Sequence, residues 1–242
     1  MEIVKSGTNI GQNSIEIEVP SGIYSLECRA HKDYYADSIV SFQEIGINTV
    51  NICVSQTGND VTGDGSDSNP FATIANAIEN FTDIANEENT IYLLSDIKEN
   101  LTLPQNSNLT IDGNNQTYTI TTQNIENNGS RLVLKNLIFD SEDSCNINGA
   151  GKTVFDNITL NATTNVYGNL SVLSVSVISQ NQAKLIMETD GSLTLGGKFE
   201  GTIQLKENDS TNPTGLNQII CNGSLEGSSI KLELPVNDEG TL

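Results

Sequence analysis

The chain has 242 residues, 36% hydrophobic and 17% charged, and its 31 acidic side chains against 11 Lys and Arg give a formal net charge of −20. That length buries a sizeable core in one or two domains, and the charge, with no basic run to offset it, argues against nucleic acid or an anionic membrane as partner. The surface must be built largely from Asn, Ser, Thr and Gly, a composition typical of solenoids and exported proteins. No stretch approaches the roughly 20 apolar residues of a membrane span. Met1-Glu2-Ile3-Val4-Lys5 is no signal peptide, so we expect a segment of a longer extracellular or cell-surface protein whose signal and anchor are not present in this portion.

Ile15, Ile17 and Val19 alternate with Glu16 and Glu18, the pattern of a half-buried strand, and Pro20-Ser21-Gly22 turns the chain. Further strands are expected at Ile23–Cys28, Ile39–Phe42 and Thr49–Val54, with a turn at Gly46. Together they predict a small antiparallel β-sandwich over residues 1–54. The phrases Val19–Leu26, Asp33–Ser38 and Gly46–Ile52 resemble PEGA-type and carboxypeptidase-regulatory-like modules, and that resemblance implies a spacer domain of a bacterial envelope protein.

Between Val54 and Ile78 a polar Gly/Asp loop runs into an amphipathic helix signal. Gly58, Gly63 and Gly65 supply unusual backbone angles, and Asp60, Asp64 and Asp67 supply local side-chain-to-backbone bonds. Pro70 suits a first helical turn, and Phe71, Ile74, Ala75, Ile78 and Phe81 share one face, so a helix is expected over 70–81. The sequence Val-Ser-x-x-Gly-Asn-Asp, a Gly-rich turn, then Asn-Pro-Phe-x-Thr-Ile-x-x-Ala-Ile resembles the opening of bacterial right-handed parallel β-helices of the pectin-lyase-like class. The resemblance implies a helix plugging the first coil and a solenoid over 55–242. Because that group spans polysaccharide lyases, glycosidases and surface proteins without chemistry, it argues fold better than activity.

Beyond the helix, short strands are expected at Thr90–Leu94, Leu101–Leu103 and Leu109–Asp112, separated by turn residues such as Asp112-Gly113-Asn114-Asn115. The decisive signal is a repeat. Leu132, Leu134, Leu137 and Phe139 have counterparts in Thr153, Phe155, Ile158 and Leu160, and again in Leu170, Val172, Val175 and Val177. A glycine precedes each set, Gly129, Gly151 and Gly168, and Gly191 introduces a weaker set at Leu193 and Leu195. A period near 20 residues, with short strands and no internal helix, fits one coil of a parallel β-helix. Strands continue at Gly201–Leu205, Gln218–Cys221 and toward Leu234, with Glu207–Gly215 as an extended loop. The fold class expected is therefore all-β: a right-handed parallel β-helix with a short N-terminal capping helix, preceded by the sandwich.

The candidate chemistry is sparse. Gly149-Ala150-Gly151-Lys152-Thr153 ends like a phosphate-binding loop, but the first glycine of that motif falls on Asn146 and a strand follows where a helix N-terminus is needed. Asp60, Thr62 and Asp64, with Asp67 near, occupy alternate positions of a calcium loop, yet Phe71 stands where a bidentate Glu belongs. Calcium is thus a possible ligand, and an Asx-rich turn that caps the helix is the favoured reading. No cofactor is otherwise expected. Should the chain be an enzyme, Asp140 and Asp156, which follow equivalent strands, with Arg131 and Lys135 (and Lys152) nearby, would carry polysaccharide lyase or glycosidase chemistry. No diagnostic motif of either group is present, and turns in any β-helix carry Asp, so catalytic residues are not expected.

His31 is the single histidine, Trp is absent, and in the coils only Tyr92, Tyr118 and Tyr167 offer rings for stacking on sugars. Cys28, Cys53, Cys145 and Cys221 lack CxxC spacing and read as buried free thiols, with a Cys28–Cys53 bridge as the alternative. The function expected is display, adhesion or spacing on a bacterial surface by a monomer, toward an unknown surface protein or polysaccharide. The rival is a carbohydrate-active β-helix enzyme.

Overall fold

The computed structural model describes residues 22–28, 41–47, 51–81, 88–177, 183–188, 191–206 and 218–234. The chain divides into two compact units, Met1–Asn48 and Thr49–Leu242. In the first, β1 (Gly22–Cys28) and β2 (Ser41–Ile47) pair antiparallel, Gly22 opposite Ile47 and Cys28 opposite Ser41. Gly46, expected in a turn, pairs with Ile23 inside this ladder. The strand expected at Ile15–Val19, and His31, lie outside the described residues.

The last strand expected in the sandwich belongs to the second unit. β3 (Asn51–Val54) pairs parallel with β4 (Asn89–Leu93), so the division falls before Thr49 and not after Val54. Its alternation could not reveal this, because Ile52 and Val54 point inward whether the neighbouring strand is parallel or antiparallel.

The second unit is a parallel β-solenoid of about five turns. β4 is followed by β5 (Ile97–Lys98) and β6 (Leu101–Leu103), and the next coil by β7 (Asn108–Asp112), β8 (Thr119–Thr121) and β9 (Asn124–Asn127). Thereafter two sides merge into one bent strand. β10 (Arg131–Asp140) and β11 (Ser144–Asn148) make a coil, then β12 (Lys152–Leu160) with β13 (Thr163–Val166), and β14 (Asn169–Val177) with β15 (Lys184–Met187). β16 (Ser192–Leu205) runs along all three sides, and β17 (Gln218–Cys221) and β18 (Ser229–Glu233) pair with it. A first face thus holds β3, β4, β7, the first halves of β10, β12, β14 and β16, and β17. A second holds β5, β8 and the second halves, and a third holds β6, β9, β11, β13, β15, the end of β16 and β18.

The register is the one the repeat predicts. Leu132, Leu134, Leu137 and Phe139 stand beside Thr153, Phe155, Ile158 and Leu160, and these beside Leu170, Val172, Val175 and Val177. Leu193 and Leu195 continue the columns next to Leu170 and Val172. Stacked like side chains bury the interior almost completely, and the Phe139 and Phe155 rings meet at 5.1 Å between centroids, tilted by 46°.

Two devices bend the coils. Asn136 and Asn157 adopt left-handed backbone angles, φ 52° and 56°, where the chain turns from the first face to the second. Asn tolerates that conformation, and its carboxamide adds a partner: Asn157 Nδ2 donates to Asn136 Oδ1 at 2.8 Å, and Asn136 Nδ2 to Asp112 Oδ2 at 3.2 Å. At the turn into the next coil, a Cβ on Gly151 would sit 2.0 Å from Asn127 Oδ1, which explains the glycine. Asn127 is fully buried, accepting from Ser130 N at 3.1 Å and donating to Thr153 Oγ1 at 3.2 Å.

Helix α1 (Ile74–Glu79) is shorter than expected, because Phe71 bridges to Val54 and Thr73 is the extended N-cap. Ile74, Ala77 and Ile78, with Phe71 and Phe81, are buried against the first coil, whereas Ala75 faces solvent. Among the described residues no helix is long and apolar enough to cross a membrane.

Candidate functional site

The loop before α1 is organised around the helix start. Asp60 Oδ1 accepts from Ala72 N at 2.7 Å and Thr73 N at 3.1 Å, and Oδ2 accepts from Thr73 Oγ1 at 2.9 Å. Thr73, extended at φ −128° and ψ 149°, is the N-cap and accepts from Asn76 N at 3.1 Å. The two remaining N–H groups of the first turn, Ile74 and Ala75, donate to Glu99 at 2.8 and 2.9 Å. Glu99 follows β5, and nothing in the local sequence announces its role, since 25 residues separate it from Ile74.

Asp64 turns the other way. Its Oδ1 accepts from Ser66 N at 2.9 Å, and the Ser66 hydroxyl and amide hold its carboxyl below the usual range. Asp67 is exposed and lines, with Ser55, Thr57 and Asn59, a shallow depression of about 340 Å³. A second depression of about 360 Å³ is lined by Asn51, Asp64, Ser66 and Asn80. The three carboxylates proposed as calcium ligands therefore serve three different places. Among the described residues no three His, Cys, Asp or Glu side chains gather as a metal ligand set.

On the outer side of the first face, the parallel register sets Tyr92 beside Asp112, Asp112 beside Lys135, and Lys135 beside Asp156. Four positions earlier on each strand, Arg131 stands between Asn108 and Lys152, and its Nη1 donates to Asn108 Oδ1 at 3.2 Å. Val133 and Val154 lie between these charged rows, outward in direction yet only 6% and 4% exposed. Asp140 does not join them. It ends β10 beyond the Asn136 corner, stands beside Thr121 on the second face, and accepts from Ser141 N at 2.8 Å. Asp140 and Asp156 thus occupy unequal positions, because the linear spacing takes no account of the corner between them. The Lys152-Thr153 end of the phosphate-loop look-alike opens strand β12.

A row the sequence reading missed lies on the third face. Glu188, its side chain 8% exposed, pairs with Lys206, whose ammonium that carboxylate pushes above its usual range, and Tyr167, 43% exposed, lies close enough to act in the same direction. Nearby, Asn165 Nδ2 donates to Asn146 Oδ1 at 2.8 Å and Asn148 Nδ2 to Asn124 Oδ1 at 2.6 Å, linking successive coils. Only register shows these pairs, since their members are 19 and 24 residues apart. Lys98 and Glu142 form an exposed ion pair.

The thiols differ from one another. Cys145 is fully buried and burial pushes it up to about 12, Cys53 is raised by partial burial and by the Asp67 charge, and Cys221 is exposed. All three are free, and Cys221 departs from the buried setting expected; the Cys28 side chain, and with it the Cys28–Cys53 alternative, lies outside the described residues. Set against known proteins, the chain matches no family profile, no curated protein and no solved structure.

Proposed function

We propose that the chain is a non-catalytic segment of a bacterial cell-surface or secreted protein. In this reading β1 and β2 belong to a PEGA-like spacer, and the solenoid, of the pectin-lyase-like class, serves display, adhesion or spacing toward a surface protein or polysaccharide. One observation carries it: of the candidate catalytic groups Arg131, Lys135 and Asp156 share the first face, but Asp140, the second carboxylate of the set, does not join them there. Glycosidase chemistry needs two carboxyl groups about 5–9.5 Å apart across one bond, and Asp140 and Asp156 sit on different faces. The test is incubation with polyuronates and neutral polysaccharides, followed by assay of reducing ends and unsaturated sugars. No product above background is expected. Turnover that disappears in Asp156→Asn would overturn the reading.

A second reading rests on the column Tyr92, Asp112, Lys135 and Asp156, in which two carboxylates flank a lysine beside an exposed ring. There Lys135 would abstract or deliver a proton while the carboxylates hold the sugar. Asp112, however, already accepts from Asn114 N at 2.9 Å and from the Asn136 carboxamide, which fits a corner brace better than a reacting group.

A further inference from the structure

In the last described coil of the solenoid, β17 and β18 each bond to β16 along one side, and no described residue pairs with the other side. Register fixes which side chains of β18 face inward. Leu232 stands beside the buried Ile203, yet it is 49% exposed. Ile230 and Leu234 share its side of the strand and are exposed as well, while Lys231 and Glu233 alternate onto the outer side next to Thr202 and Gln204. Within the chain the two outer charges pair at 2.8 Å, and Lys184 approaches Glu233 at 3.7 Å.

We propose that this edge is the interface of a symmetric dimer, occupied by β18 of a second copy of this chain. Laid antiparallel against itself with the two-fold axis at Leu232, the segment sets Leu232 against Leu232 and Ile230 against Leu234. The same register sets Lys231 against Glu233 twice. Apolar residues then meet on the core side and opposite charges on the outer side, as both copies require. The charge pattern also selects the register. An axis at Lys231 opposes two lysines, and an axis at Glu233 opposes two glutamates, both unfavourable for directly facing residues. An unpaired strand edge is a template for another strand, and a two-fold arrangement consumes both edges without leaving one to propagate. The proposal replaces the monomer expected from sequence with a dimer, and it stands whether or not the solenoid is catalytic.

The test is the mass of the full chain by light scattering and sedimentation over about 1–200 µM protein, with reductant present because Cys221 is exposed. The mass should rise from one chain to two. Lys231→Glu and Glu233→Lys should each move the midpoint at least tenfold higher in concentration, and the double exchange, which restores opposite charges across the axis, should bring it back. Without reductant, and in a Cys221→Ser background, Leu232→Cys should form a disulfide dimer, because facing antiparallel residues have Cα atoms about 4.5–5.5 Å apart. Ile230→Cys, opposite Leu234, should not. The proposal is overturned by a one-chain mass throughout, or by a dimer indifferent to the single charge reversals. It is equally overturned if a dimer forms only after residues 235–242 are removed, which would assign the edge to that segment.

Discussion

The first and the last described coils of the solenoid treat the same apolar interior in opposite ways. At the first coil, α1 lays Ile74, Ala77 and Ile78 over the columns that begin at Ile52 and Val54, and every N–H of its first turn has an acceptor from Asp60, Thr73 or Glu99. At the last coil the inward positions beside Leu195 and Ile203 are Cys221 and Leu232, both exposed. The lesson is that a repeating core has no intrinsic stop. Each coil buries the face of its neighbour, so closing the stack takes a device foreign to the repeat, and here the helix is that device.

The largest expected effect tests this contrast directly. Ile74→Ala at the closed end should cost about 2–5 kcal/mol in urea unfolding, whereas Leu232→Ala at the open end should stay within about 0.5 kcal/mol when measured at a concentration where the chain is monomeric. Equal losses would mean that the two ends are closed alike.

Next in size is the remote cap. Glu99→Ala removes a charged acceptor from two helix N–H groups and should destabilise by about 1.5–3 kcal/mol, more than Asp64→Ala, whose bond lies inside the loop. A neutral outcome for Glu99 would show that water replaces it readily.

Calcium distinguishes a capping loop from a metal site. Millimolar calcium should leave the melting temperature unchanged, and Asp60→Ala should cost the same, about 1–2 kcal/mol, with or without it. A true site at a hundredfold excess over its dissociation constant would add about 2.7 kcal/mol, lost in Asp64→Ala.

The smallest effect under neutral conditions concerns the thiols. Near pH 8 a thiol reagent should modify Cys221 and spare Cys145 in the folded chain. Cys145 has a folded pKa raised from 9.0 to about 12, so the unfolded state releases its proton first. Its contribution to stability is complete below pH 9 and is lost as pH climbs toward 12. Loss of stability on acidification through the same thiol would contradict that sign.

The repeat was legible because burial imposes it: Leu132, Phe155 and Val172 must be apolar at spacings that return each to the interior, and the observed register follows those spacings residue by residue. The helix was legible in type but four residues too long at its start, since Phe71 satisfies the same periodicity while bridging to Val54 as extended chain. Asp140 and Asp156 were set together wrongly because residues at similar distances along two strands need not share a face once Asn136 bends the chain.

By itself, then, the sequence determined the solenoid, its inward columns and the helix that stops it, because hydrophobic burial writes a local, periodic pattern along the chain. Only the tertiary structure decided the partners made across coils. Glu99 reaches the helix, Asn157 reaches Asn136, Lys135 falls between Asp112 and Asp156, and Leu232 is left exposed. Polar side chains find these partners through coil registration at separations of about 20 residues, where no local pattern carries the information.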